Sequence, residues 1–131
     1  MKLLLDTCTY LWLAGAPERL SIPATQVLAD PDNELFLSPV TLWEILVNHM
    51  RGRKFPLHVP GSPEQYFVEL RGRLGIAALP VVESAVAQLV KLPPVHNDPF
   101  DRLLICQAIE HGLTLVTPDA HIRRYPIRTL W

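Results

Sequence analysis

Five carboxylates in this 131-residue chain are spaced so that they could do chemistry together: Asp6, Glu44, Asp98, Asp101 and Asp119. Asp6 directly follows the apolar run Leu3-Leu4-Leu5, and Asp119 lies three residues beyond a second run, Leu113-Thr114-Leu115-Val116. Glu44 is one turn into the helix after a third run, Glu34–Leu37, and Asp98 and Asp101 open the helix that leads into the second. Two carboxylates about 5 Å apart repel by roughly 3 kcal/mol at an effective dielectric of 20. Three or four converging acids are therefore strained, and at least one takes a raised pKa. A hard divalent cation such as Mg²⁺ or Mn²⁺, which prefers oxygen ligands and keeps waters, removes that strain. Such a site can activate a water and stabilise the charge that builds on a phosphodiester.

Each acid also has a purely structural explanation. In His96-Asn97-Asp98-Pro99-Phe100-Asp101-Arg102, Asp98 is a good N-cap, Pro99 suits the first helical position, and Asp101 sits in the first turn, where the helix dipole favours negative charge. Asp119 can serve in the same way, with Thr117 as N-cap. Glu44 lies about 200° around its helix from Leu42, on the side of Asn48 and Arg51, which periodicity alone reads as a solvated edge. Asp6 is different. It ends a buried strand, where a carboxylate is costly unless paired or metal-bound, and its sequence neighbours include no cation.

The elements that must position these acids alternate. Strands are expected at Leu3–Leu5, Glu34–Leu37, Ile76–Leu79, Leu113–Val116 and Ile127–Leu130. Helices are expected over Thr7–Ala14, from Ser21-Ile22-Pro23 to Asp30, from Pro39 to about Arg51, from Pro63 to Arg73, over Val82–Leu92, over 99–111, and briefly over Pro118–Tyr125. Gly15, Gly75 and Gly112 read as helix stops, and 52–62 as a loop with a short extended piece at Leu57–Val59. The alternation predicts an α/β sandwich with a mostly parallel sheet, in one domain over 1–131. Ligands of such sheets bind beyond the carboxyl ends of the strands, where four of the acids fall if the first and fourth strands are neighbours.

Composition narrows the function. Half the chain is hydrophobic, which excludes disorder, and no apolar run is long enough to span a membrane. With no signal peptide in view, a cytoplasmic protein is expected. Cys8 and Cys106 form no disulfide framework and have no metal-ligand spacing. The net charge of −1 carries no global nucleic-acid signature, although basic residues cluster at Arg51, Arg53 and Lys54, at Arg71 and Arg73, and at Arg123, Arg124 and Arg128. Singly, each cluster reads as solvated surface.

Four segments, Leu3-Leu4-Leu5-Asp6-Thr7, Ser38–Ile45, His96–Leu104 and Leu115–Asp119, together resemble the motifs of the PIN-domain family, and more closely its VapC-type toxins, in order and spacing along essentially the whole chain. The resemblance implies a three-layer fold with five parallel strands ordered 3-2-1-4-5. It implies Asp6, Glu44, Asp101 and Asp119 as the acidic quartet around Mg²⁺ or Mn²⁺, with Asp98 and Thr117 in supporting roles. The implied activity is endoribonuclease cleavage of single-stranded RNA by a metal-activated water, leaving 3′-hydroxyl and 5′-phosphate ends. The implied partner is a small antitoxin seated in an apolar groove near the first helices, and homodimers are implied as well. Arg51, Arg53, Lys54, Arg123 and Arg124 become candidate RNA contacts. Cys8 and Pro118 depart from the family pattern.

Other classes fit less well. An aspartyl-nucleophile phosphatase needs a second Asp where Cys8 stands, and a phosphoacceptor receiver needs adjacent acids after the first strand. Cys8 as a nucleophile has no activating base in view. A nuclease of RNA processing remains an alternative, as does a silent binding module using Trp12, Leu13 and Trp43 as an apolar groove.

Overall fold

The computed structural model describes residues 1–131. Leu3, Leu4 and Leu5 have no exposed surface, as an apolar run requires when helices cover both faces of its sheet. They form β1 (Lys2–Leu5), the central strand of a parallel sheet ordered β3-β2-β1-β4-β5. The other strands are β2 (Glu34–Leu37), β3 (Ala77–Ala78), β4 (Thr114–Val116) and β5 (Thr129–Leu130). The strand order is the one the family resemblance implies. Leu5 pairs with Val116, so the residues that follow, Asp6 and Thr117, leave the sheet side by side.

Side chains of β1 alternate between faces with the period of two that a strand imposes. Leu4 packs with Leu115 and with Leu104, Ile105 and Ala108 of α6 (Pro99–His111). Leu5 joins Tyr10 of α1 (Thr7–Gly15) and Phe67 and Leu70 of α4 (Pro63–Arg73). Leu3 packs against Ala24 of α2 (Ile22–Ala29). Between the clusters runs α3 (Pro39–Met50), which sends Val40 into the first and Ile45 into the second. Fully burying one such aliphatic side chain stabilises the fold by about 1.5–3 kcal/mol. The buried exception on α6 is Gln107, whose amide donates to the Leu79 carbonyl at 3.1 Å and so ties the helix to the chain leaving β3.

Several expected elements are shorter, for local reasons. β3 spans two residues rather than Ile76–Leu79, because it lies at the sheet edge and Pro80 has no N–H to continue a ladder. The helix expected over Val82–Leu92 is α5 (Glu83–Ala87) followed by a 3-10 turn at Gln88–Lys91. Leu92 precedes Pro93 and is extended (φ −78°, ψ 133°), so the last turn tightens and stops. Between Pro118 and Tyr125 only a 3-10 turn at Ile122–Arg124 forms, with Tyr125 made extended by Pro126. Leu57–Val59 joins no strand, and a further 3-10 turn occupies Pro17–Arg19.

Gly15 ends α1 and meets a second demand as well. A Cβ there would lie 2.5 Å from the Pro56 carbonyl oxygen and 2.7 Å from the Leu57 Cβ. The loop after α3 crosses too closely for any side chain. Gly112 also acts as expected, ending α6 in the left-handed conformation (φ 64°).

Candidate active site

Beyond the carboxyl ends of β1 and β4, the Asp6 carboxylate caps α1. One oxygen accepts from the Thr9 N–H at 2.8 Å, and the other accepts from the Thr117 hydroxyl. Thr117 Oγ1 in turn accepts from the Asp119 N–H at 3.0 Å, so one buried hydroxyl links two of the acids. The Thr117 hydroxyl gives its hydrogen to Asp6 and so orients that carboxylate. Thr9 Oγ1 donates to the Val116 carbonyl at 2.8 Å and fixes the start of α1 to the end of β4. Asp119 then turns the chain: its Oδ1 accepts from the N–H groups of His121 (2.7 Å) and Ile122 (3.2 Å).

Glu44 is half-buried, and its Oε2 accepts from the Thr7 hydroxyl at 2.6 Å. The helix edge that periodicity reads as solvated thus faces the crevice, because α3 packs against α1. Asp98 is exposed and caps α6, accepting from the N–H groups of Phe100 (2.9 Å) and Asp101 (3.2 Å). Asp101, the third residue of the same helix, is half-buried and holds His96 Nε2 at 3.0 Å through Oδ2.

The electrostatics are those of buried acids set close together. Burial raises the Asp6 carboxyl above its ordinary value, and Asp119 adds to the shift against the hydrogen bonds from Thr117 and Thr9. Burial likewise raises Glu44, opposed by Thr7 and reinforced by Asp98 and Asp6. Asp101 is pushed up to about 6 by burial, against the His96 hydrogen bond, with Asp98, Asp119 and Glu44 contributing. No lysine or arginine forms an ion pair with any of the quartet. The side chains share a field, but no three of them close into a finished metal cage. Cys8 lies among them; desolvation and the charges of Asp6, Glu44, Asp101 and Asp119 hold its thiol up at about 11. It is protonated at neutral pH and is no thiolate nucleophile.

Residues 3–127 match the family described as PIN domain. The chain belongs to the PIN domain family. Ribonuclease VapC22 of Mycobacterium tuberculosis is 34% identical to this PIN domain over 123 residues, which cover 93% of the chain and 90% of that relative. Among solved structures, VapBC2 from Rickettsia felis bound to a DNA fragment from its promoter superposes with a TM-score of 0.69 at 18% identity, covering 99% of this chain and 98% of that one. VapBC-1 from nontypeable Haemophilus influenzae gives 0.64 at 18% identity, with 99% and 97% covered. The Sarcin-Ricin loop cleaving toxin VapC20 of Mycobacterium tuberculosis gives 0.62 at 15% identity, with 92% of each chain covered.

The arginine clusters and tryptophans sort differently in space. Arg51, Arg53 and Lys54 are exposed just beyond α3, and Arg123 and Arg124 are exposed on the turn after Asp119. Trp12, Leu13 and Trp43 do not share one setting. Trp12 packs on Trp131 at 5.7 Å beneath the Arg19 guanidinium, Leu13 packs into the core around Phe67, and Trp43 lines a shallow cleft with Val81 and Phe100. His96 contacts Asp101, and Tyr125 and Arg102 hold His96 in turn, although periodicity marks none of them; the nearest sequence signal is that His96 precedes the α6 cap by two residues.

Proposed function

We propose that this PIN domain is a divalent-metal-dependent endoribonuclease and the toxin of a toxin–antitoxin pair. The observation that carries the proposal is a group of four acids, Asp6, Glu44, Asp101 and Asp119, gathered at one end of the sheet with no lysine or arginine paired to them. The kinship with a protein named a ribonuclease, and the fold shared with toxin–antitoxin structures, support the same reading.

The donor set suits Mg²⁺ or Mn²⁺: it is all carboxylate oxygen, and Asp6, Glu44 and Asp101 are each held above their ordinary pKa by burial first and by neighbouring acids second. Asp6, Glu44, Asp101 and Asp119 would hold the ion. When bound, it supplies Lewis acidity toward a water and toward the scissile phosphodiester. The chain's own residues prepare that site. Thr117 orients Asp6 and anchors the Asp119 backbone, Thr7 orients Glu44, and Asp98 frees Asp101 from capping by taking that task itself. The exposed Arg51, Arg53, Lys54, Arg123 and Arg124 would contact RNA phosphates, and a small antitoxin would cover the site in a homodimeric complex.

The test is cleavage of RNA by the purified chain. Mn²⁺ is expected to support cleavage, excess EDTA to stop it, and fresh Mn²⁺ to restore it; full activity after exhaustive chelation overturns the metal requirement. Neutralising Arg51, Arg53 and Lys54 together is expected to flatten the dependence of log affinity on log salt by about two to three units, measured with catalytically disabled protein. An unchanged slope returns those residues to ordinary surface.

A further inference from the structure

The His96 ring beside Asp101 is held on several sides. The side chain is 12% exposed. Nε2 is 3.0 Å from Asp101 Oδ2, and Nδ1 is 2.9 Å from the Tyr125 hydroxyl. One ring face stacks on His121, with centroids 5.4 Å apart and planes 11° from parallel, while Tyr125 meets the ring edge-on at 5.4 Å. Arg102 completes the arrangement. Its guanidinium donates to the Tyr125 hydroxyl at 2.9 Å and to the carbonyls of Pro93 (3.1 Å) and His96 (3.2 Å), pinning the loop that carries the histidine.

The donors and acceptors fix a direction. Arginine can only donate, so the Tyr125 oxygen accepts from Arg102 and keeps its own hydrogen for the nearer of two acceptors, His96 Nδ1 at 2.9 Å rather than the His96 carbonyl at 3.4 Å. Given to Nδ1, that hydrogen makes Nδ1 an acceptor. The ring's single N–H is then on Nε2, where it donates to Asp101 Oδ2. The other Asp101 oxygen, Oδ1, makes no hydrogen bond, so the chain commits one carboxylate oxygen and leaves one for the crevice.

We propose that His96 is a positioning residue: held by Tyr125 and Arg102 in its Nε2–H form, it fixes the Asp101 carboxylate so that a single oxygen faces the shared acidic crevice. The role rests on the metal-site reading above and adds to it the group that aims one of the ligands. Residues that orient a ligand in this way are typically worth about 10–100-fold in metal affinity. Asparagine at 96 would place its amide near Nδ1 and miss Asp101, whereas glutamine can place a donor where Nε2 lies.

The experiment titrates Mn²⁺ into the full chain and follows free Mn²⁺ by electron paramagnetic resonance, alongside circular dichroism and the metal-free melting curve. His96→Leu is expected to weaken Mn²⁺ binding about 10–100-fold, and His96→Gln to recover most of that loss. Tyr125→Phe, which keeps the buried ring, is expected to weaken binding by a smaller factor. Imidazole ¹⁵N shifts of the metal-free wild type should report the Nε2–H tautomer at His96, and Tyr125→Phe should mix the two tautomers. Wild-type binding with an unchanged His96→Leu, or a His96→Gln no better than His96→Leu, overturns the positioning role and leaves the metal site standing. Should His96→Leu fail to fold, the tautomer and Tyr125→Phe measurements decide: an Nδ1–H ring in the wild type overturns the role. A wild type that does not bind Mn²⁺ at all overturns the metal site and this role together.

Discussion

Asp101→Asn is expected to lower RNA cleavage by about a hundred- to a thousand-fold, measured under single-turnover conditions with saturating Mn²⁺. The change removes one charge and almost no volume. The α6 cap is untouched, because Asp98 makes it, and the asparagine oxygen can still accept from His96. The cost to the helix dipole is about 0.3–1 kcal/mol. Against it stands relief from a position where burial and the acids Asp98, Asp119 and Glu44 resist ionisation. The metal-free variant should therefore melt no lower than the wild type at neutral pH, so that lost activity cannot be ascribed to lost fold. Asp98→Asn is the matched control. It changes a neighbouring acid whose work is capping, asparagine caps as well as aspartate, and cleavage should fall by no more than about threefold. Equal losses in the two variants, or undiminished cleavage by Asp101→Asn, would remove the distinction between ligand and cap.

The metal-free protein should lose stability as pH rises from about 4 to about 7, the reverse of ordinary acid denaturation. Asp6, Glu44 and Asp101 have folded-state pKa values above those of the unfolded chain, reaching about 6 for Asp101. Between the unfolded and folded values the native state binds more protons than the unfolded state, so the slope of unfolding free energy with pH is negative. The contribution is fully present below the unfolded pKa, 3.8 for Asp101, and is lost as pH passes through the folded value. A divalent cation competes with those protons. At pH 7, Mn²⁺ at a hundred times its dissociation constant should stabilise the fold by about 2.7 kcal/mol, raising the melting midpoint by about 10 °C. Calorimetry from pH 4 to 8 with and without Mn²⁺ checks both. Stability that climbs through pH 6 in the metal-free protein, or a midpoint indifferent to Mn²⁺ at pH 7, would mean that the acids are not in conflict.

Much of this was written locally. The run Leu3-Leu4-Leu5 is apolar throughout because both sheet faces are covered, and Asp6 closes it because a strand end and a helix cap meet there. The cap at Asp98, the first-turn proline at 99 and the left-handed Gly112 bound α6 within a residue of expectation. The misjudged elements share a cause. At β3, α5 and the turn after Asp119 the sequence pattern is continuous, but a proline or a side-chain cap ends the backbone hydrogen bonding early. At Gly15 the helix end is legible locally, but the steric demand for glycine comes from Pro56 and Leu57, far along the chain.

By itself the sequence determined which residue types end each strand and open each helix, because caps, prolines and apolar periodicity act over a few residues. It could not determine what those residues face. Helical periodicity orients Glu44 only about its own axis, and the docking of α3 on α1 decided that its polar edge meets Thr7 rather than water. Likewise Asp6 and Thr117 are 111 residues apart and His96 and Tyr125 are 29 apart. Their contacts exist only because parallel pairing of β1 with β4, and the packing of α6 over that pair, bring distant segments within hydrogen-bonding range.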